Sequence, residues 1–167
     1  MKKLVLALIF GFTLTGLVFA QNPGPNQSPN NDTGNYLPPN YLEEALLKVG
    51  KTLIDDLPKN KTIFVLSVAS RDPDMAAFAI QELEFQLVDS KAFTVIDRAT
   101  LDKIQPELIS GFSADFDDYS AVSIGKVLGA NIVITGSVYD SGTSQRLIIR
   151  ALDVQTNQII TIARGLF

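Results

Sequence analysis

The chain has 167 residues, with 18 acidic and 14 basic side chains and a net charge of −4, and it contains neither histidine nor cysteine. The missing residue types exclude a Ser-His-Asp or Cys-His catalytic site and a zinc site of the usual His/Cys kind. The acidic balance argues against nucleic acid as a partner.

Residues 1–20 have the pattern of a secretory signal peptide. Two lysines precede an apolar run over residues 4–19, and Val18 and Ala20 are the small residues that a signal peptidase recognises. We expect cleavage after Ala20 and export to the periplasm. Gln21 stands where a lipoprotein would carry its cysteine, so we expect an exported protein that is not a lipoprotein and has no direct lipid anchor.

A change of composition separates this segment from the rest of the chain. Residues 21–40 contain six asparagines and five of the eight prolines, a composition that favours turns and cannot bury a core. We predict a disordered Asn/Pro-rich tether, which is either a spacer or merely the N-terminus that remains after cleavage. Residues 41–167 are predicted to form a single globular domain.

The first half of this domain alternates between helical and strand patterns. Apolar residues at three- and four-residue spacing predict a helix over residues 42–57, ended by Pro58. Residues 63–69 are nearly all apolar, which predicts a strand covered on both faces. A second helix over 74–89 and a second strand over 93–96 follow.

Two further helices are predicted to begin at aspartates. Asp97 is placed to cap the first, since its carboxylate can accept from the unpaired amides of the following turn. The buried positions of that helix are predicted to be Leu101, Ile104 and Leu108. Asp118 is the expected cap of the second helix, with Gly129 at its C-terminal end.

The last part of the chain is predicted to be three strands. Residues 132–139 form one, and residues 146–154 and 158–163 alternate as a hairpin closed at Thr156 and Asn157. This order of elements predicts an α/β fold, with α+β as the alternative. We expect a mixed sheet of about five strands flanked by helices, in a single domain.

A cluster of carboxylates is the remaining candidate for metal chemistry. Asp115 and Asp117 have the alternating spacing of oxygen ligands in an EF-hand calcium loop, and Asp118 follows them. Such a loop needs glycine at its sixth position and glutamate at its twelfth, where this chain has Ser120 and Lys126. Capping of a helix explains the cluster better. We therefore assign no catalytic residue, no metal ligand and no cofactor.

Five residues form a candidate interaction surface. Asp97 and Arg98 follow a strand end, where open α/β sheets bind ligands; the alternative is a helix cap with an internal salt bridge. Phe112 lies in a loop between two predicted helices, either exposed or packed inward. Asp115 and Asp117 complete the set.

Three stretches of the sequence resemble one protein family. Residues 93–104 read FTVIDRATLDKI, a GFS loop follows at 111–113, and residues 124–138 read IGKVLGANIVITGSV. This resembles the CsgG/LpoB family, in which a strand ends in a (V/I)(D/E)R turn and a GK-LGA helix–strand junction follows. Residues 150–156, RALDVQT, are similar to the hairpin of that family, with Asn157 replacing its usual glycine.

The resemblance covers about residues 60–163 and implies an α/β domain of the bacterial periplasm. Members serve as curli secretion channels or as activators of bifunctional penicillin-binding proteins. The long additional hairpins of the channels do not occur in this sequence, so secretion-pore function is not expected. The activators join a lipidated cysteine to a Pro-rich tether, and this chain matches the tether alone.

These observations predict an exported, non-enzymatic domain that docks on a protein of the cell envelope. It would be an accessory or regulator of a peptidoglycan synthase, such as a bifunctional penicillin-binding protein, or of secretion machinery. One alternative is a periplasmic sensor of a small ligand or metal. Another is an enzyme that uses the carboxylates of Asp97 or of residues 115–118.

Overall fold

The alternating helical and strand patterns build a mixed sheet with helices on both faces. The computed structural model describes residues 39–103 and 117–167. The elements are α1 (Pro39–Asp56), β1 (Thr62–Ala69), α2 (Pro73–Asp89), β2 (Thr94–Val95), a 3-10 helix (Arg98–Lys103), α3 (Asp118–Leu128), β3 (Ile132–Ser141), β4 (Ser144–Asp153) and β5 (Ile159–Leu166). The predicted signal peptide, the tether up to residue 38, and Ile104 and Leu108 lie outside the described residues.

The sheet has the strand order β2-β1-β3-β4-β5. β1 runs parallel to β2 and β3, whereas β3, β4 and β5 run antiparallel to one another. The predicted mixed sheet of five strands in one domain is confirmed, and its antiparallel half makes the fold α+β. Among the described helices, none is long and apolar enough to cross a membrane.

The larger core lies between one face of the sheet and the helices α1 and α2. Its fully buried side chains come from the apolar stripe of each helix and from alternate strand positions. Prominent members are Leu46, Leu53, Leu83, Leu87, Ile63, Ile134, Leu147 and Ile149. This arrangement confirms the predicted helices, the first of which begins a little earlier than expected, within the predicted tether.

A smaller core lies on the opposite face, beneath α3. Phe64 and Leu66 of β1 pack there with Val122 and Ile124 of α3. Because Ile63 and Val65 belong to the other core, β1 is buried on both faces. This explains why its sequence is a continuous apolar run rather than an alternation.

One predicted helix cap is wrong by one position. Asp117, not Asp118, caps α3, and its Oδ1 accepts from the backbone amide of Ser120 at 2.7 Å. Asp117 has the extended backbone that a cap requires, whereas Asp118 is already the first helical residue. Gly129 ends α3 with φ of 73°, which confirms the predicted left-handed C-terminal cap.

The predicted hairpin at the end of the chain is confirmed. Asp153 Oδ1 accepts from the amides of Gln155 and Thr156 at 2.8 Å, and Asn157 adopts φ of 59° in the turn. β5 continues beyond its predicted end at residue 163. Pairing with β4 extends it to Leu166, because the register of the neighbouring strand determines its length.

Gly125 of α3 lies where the helix approaches the sheet most closely. A Cβ at this position would overlap Val133 Cγ2 and lie 2.9 Å from Val154 Cγ2. The absence of a side chain therefore sets the distance between α3 and the strands.

We expect Gly125→Val to lower the free energy of unfolding by about 1–3 kcal/mol through overpacking. Urea denaturation followed by circular dichroism measures the change. Lys126→Val is the matched control, because it introduces the same side chain at the neighbouring exposed position. Equal stability of the two variants would contradict the close approach.

Candidate docking surface

The strands β4 and β5 present two different sets of side chains to the two sides of the sheet. The set beneath α1 is buried in the larger core and consists of Leu147, Ile149, Ala151 and Ala163. Successive side chains of a strand point to opposite faces, so the intervening residues lie on the face that carries α3. There, the smaller core includes Val133 and Leu152 at one end of the strands.

Beyond this smaller core, the sheet face that carries α3 forms a surface that we name the arginine face. Directly paired residues of antiparallel strands lie on the same face, and the register of β3, β4 and β5 aligns three rows of side chains. The rows are Tyr139, Arg146 and Leu166; Ile148 and Arg164; and Arg150 and Ile162.

The arginine face is apolar and exposed. Leu166 is 65% exposed, Tyr139 57% and Ile162 48%. Isolated exposed apolar side chains are ordinary, but several on adjacent strands form a contiguous patch of the kind that marks interaction sites.

The arginine face is also basic, although the chain as a whole is acidic. It holds three of the five arginines of the chain and none of its lysines. Arg150 Nη1 is bonded to Asp118 Oδ1 of α3 at 2.8 Å. No described carboxylate forms a salt bridge with Arg146 or Arg164, so the charges of these two arginines are unpaired within the described part of the chain.

The sequence contains a signal for this surface, although none of its residues is among the predicted site residues. Arg146, Ile148 and Arg150 alternate along one predicted strand, so they had to share a face. Arg164 and Leu166 lay beyond the predicted end of the last strand. Only the register of the strands shows that the two sets adjoin.

Arg98, a sequence-predicted site residue, is bonded to the backbone of β1. Its Nη1 donates to the carbonyl oxygens of Val65 at 3.1 Å and of Leu66 at 2.9 Å. These carbonyls lie where the pairing of β1 shifts register, beyond the two residues of β2. The guanidinium therefore continues the hydrogen bonding to β1 that β2 begins. Among the described residues, no carboxylate forms the internal salt bridge that the sequence suggested for Arg98.

Asp97 caps the turn that follows β2. Its Oδ1 accepts from the amide of Ala99 at 2.9 Å, which confirms the predicted cap, although the described part of this helix is of the 3-10 type. The role of Asp97 and Arg98 as an interaction surface stays a prediction.

Glu84 of α2 lies close to both residues. Burial raises the pKa of its carboxyl above the usual value; the charge of Arg98 acts to lower that pKa, and the charge of Asp97 to raise it. Glu84 Oε1 is buried and accepts no hydrogen bond from the described residues. Sequence reasoning missed this residue, since its helical position gives no sign of the neighbouring turn.

Asp117 lies at the start of α3. Hydrogen bonds from the side chain and backbone of Ser120 hold the pKa of the Asp117 carboxyl below its usual range. Phe112 and Asp115 lie outside the described residues. Within residues 39–103 and 117–167, no hydrogen bond or ion pair brings Asp117 to Asp97 or Arg98, and no group of three carboxylates could hold a metal.

Two cavities lie where β1 and β3 end, at the edge where open α/β sheets bind ligands. One of about 290 Å³ contains Arg71 and Asp140, and one of about 360 Å³ contains Ser67 and Arg98. Arg71 Nη1 is bonded to Asp140 Oδ2 at 2.6 Å, and Arg98 is bonded to strand carbonyls. Because both arginines are engaged within the domain, we assign no ligand to either cavity.

Comparison with known proteins agrees with the resemblance in the sequence. Residues 79–148 match the family model described as curli production assembly/transport component CsgG. No curated protein matches the sequence.

Solved structures match most of the domain. The LpoB C-terminal domain from Escherichia coli is 20% identical with a TM-score of 0.62, over 75% of this chain and 97% of that chain. The corresponding domain from Salmonella enterica is 22% identical with a TM-score of 0.59, over 74% and 94%. Lipoprotein GNA1162 from Neisseria meningitidis is 14% identical with a TM-score of 0.50, over 64% and 79%. The predicted resemblance to the CsgG/LpoB family is confirmed by the family model over residues 79–148 and by the fold shared with the LpoB domains.

We expect Arg98→Met to lower the free energy of unfolding by about 1–3 kcal/mol, because it removes the donor from two strand carbonyls and keeps the apolar stem. Urea denaturation measures the loss. Arg71→Met is the control, since the Arg71 side chain is 92% exposed and forms only a surface ion pair. If both variants were equally stable, the hydrogen bonds from Arg98 to β1 would contribute nothing to the free energy of unfolding.

We expect Glu84→Gln to alter how stability depends on pH. The folded state favours the protonated carboxyl, so the stability of the wild type falls as pH rises from the ordinary glutamate range through the raised pKa. The glutamine variant carries no such titration and should gain stability relative to the wild type between about pH 4 and about pH 7. Chemical denaturation at both pH values, with exposed Glu44→Gln as control, tests this; a pH-independent difference would contradict it.

Proposed function

We propose that this protein is an exported domain of the cell envelope that regulates a partner protein by docking through the arginine face. The observation that carries the proposal is the concentration of three arginines among exposed apolar side chains in an acidic chain. A face of this composition fits an acidic, partly apolar surface on another protein.

The chemistry of the face supports docking more than solubility. Arginine, tyrosine and large apolar side chains are enriched at protein interfaces, whereas lysine is depleted there. Arginine presents a planar set of donors that can bind a carboxylate through two bonds and can stack on apolar surface. Lysines would be the expected choice if the charge served solubility alone.

The fold supports a bifunctional penicillin-binding protein as the first partner to test. LpoB-type activators of such synthases share this fold, and the sequence resemblance extends over the same region. The mature chain would act in the periplasm without a lipid anchor, and it would act by binding rather than by bond chemistry.

The geometry indicates how docking would work. The guanidinium groups of Arg146 and Arg164 attract acidic groups during the encounter. Ile162, Leu166 and Tyr139 then lose water as the surfaces meet, and this burial supplies binding free energy. Arg150 is already held by Asp118, so we expect it to orient the patch rather than to attract the partner.

The test is a binding assay between the mature, exported form of this protein and the purified bifunctional penicillin-binding protein of the same host. We expect Arg146→Glu/Arg164→Glu to weaken binding by at least about tenfold, since two attractive charges become repulsive. The loss should be largest at low salt, because exposed charges are screened at high salt.

The matched control is Lys48→Glu/Lys51→Glu, which makes the same change of charge on exposed positions of α1, on the opposite face of the sheet. This control should bind like the wild type. Equal weakening by both double variants would show that only net charge matters, and unchanged binding by both would overturn the proposed face.

A further inference from the structure

Among the described strands, β5 lies at one edge of the sheet, and its outer hydrogen-bonding groups have no partner in the described part of the chain. Gln145 and Phe167 exchange both backbone bonds, at 2.7 and 3.0 Å. Inward and outward groups alternate in an antiparallel pair, so the amides and carbonyls of Ile162, Arg164 and Leu166 point away from β4. Among the described residues, no backbone group is bonded to them there.

The other edge of the sheet is protected, unlike β5. β2 has only two residues, and Arg98 occupies the carbonyls of β1 beyond it. β5 has eight residues with no proline, no lysine and no charge directed into the core. Natural edge strands usually carry such devices against pairing.

The same three residues provide both the open edge and part of the arginine face. The outer groups belong to Ile162, Arg164 and Leu166, and their side chains lie on the exposed side of the sheet. A strand added along β5 would therefore place alternate side chains directly beside this row. Backbone bonds would give affinity and the row would give specificity.

We propose that β5 pairs with an extended segment of the partner protein, which becomes a sixth strand of the sheet. The segment carries an acidic residue opposite Arg164 and apolar residues opposite Ile162 and Leu166. This inference rests on the proposed function and adds the mode of binding to it.

The positive charge beside β5 favours a strand from another protein over a strand from a second copy of this chain. If two copies of β5 paired about a two-fold axis, their Arg164 side chains would stand directly opposite or on the adjacent diagonal. Like charges at these positions destabilise strand pairing, and Arg146 of the next strand adds to the repulsion. An acidic segment meets the same row with opposite charge.

The probe is a synthetic peptide as long as the eight residues of β5. It carries a central glutamate, valines two positions away on each side, and threonines between them. Nuclear magnetic resonance of the isotope-labelled chain measures amide exchange with and without the peptide. We expect exchange at Ile162, Arg164 and Leu166 to slow by at least about tenfold at saturation.

A peptide with lysine in place of glutamate is the control for charge, and it should bind more weakly than the glutamate peptide. Protection at β5 that was equal for both peptides would remove the role of Arg164. Chemical shift changes confined to other elements, with no protection at β5, would overturn the proposal.

N-methylation of the peptide distinguishes strand addition from side-chain docking. Only alternate amides of an added strand face β5, so methylation of one alternate set should weaken binding at least about tenfold and methylation of the other should not. The sensitive set also shows whether the added strand is antiparallel or parallel. Equal sensitivity of the two sets would mean that the peptide does not join the sheet.

A variant of the chain provides the complementary test. Ile162→Pro removes one outward donor and leaves the bonds to β4 in place, whereas Ile162→Ala removes the same side chain and keeps the donor. We expect Ile162→Pro to bind the peptide more weakly than Ile162→Ala, and equal binding by two folded variants would contradict strand addition.

Sedimentation of the chain alone tests the competing occupant. A monomer at all concentrations supports the heterologous strand, and a dimer abolished by Ile162→Pro would overturn it in favour of a second copy. Failure of the peptide tests with normal binding to the penicillin-binding protein would refute the mode of docking alone. Failure of the charge-reversal test would refute the proposed function itself.

Discussion

The parallel pairing of β1 with β3 is the constraint on which the rest of the structure depends. Parallel neighbours cannot be joined by a tight turn, so the chain must leave the sheet between them. It does so through α2, which returns on one face, and through α3, which returns on the other. Both faces of β1 are buried as a result. The antiparallel strands β4 and β5 then extend beyond the cover that α3 provides, and the arginine face lies there.

Local chemistry in the sequence was enough to predict much of the fold. The apolar run from Ile63 to Leu66 indicated a strand buried on both faces because strands exposed on one side alternate. Asp97 as a cap and Gly129 as a left-handed terminus followed from the conformations that these residue types favour. Each of these features depends on a few neighbouring residues, which one sequence displays directly.

The candidate site depends on contacts between distant segments, and these could not be predicted in the same way. Arg98 is bonded to carbonyls of β1, from which α2 and β2 separate it in the chain. Because Asp117 rather than Asp118 caps α3, the Asp118 carboxylate is left to bind Arg150 of the distant strand β4. Arg146, Arg150 and Arg164 form one face only because the register of β4 and β5 aligns them. Sequence pattern gives the side of a strand on which a residue lies but not its neighbours across the sheet.

The contrast between the two edges of the sheet has a consequence for stoichiometry. Open-ended growth by edge pairing requires two receptive edges on each molecule, one to donate to each neighbour. Here β2 offers only two residues, and the guanidinium of Arg98 occupies the carbonyls of β1 beyond them, so among the described strands β5 alone offers a long open edge. A domain of this kind terminates a sheet instead of propagating one. In the proposed mode of binding it would engage a single strand from a partner in a closed one-to-one complex, and the arginine that completes β1 disfavours growth of filaments by edge-to-edge addition.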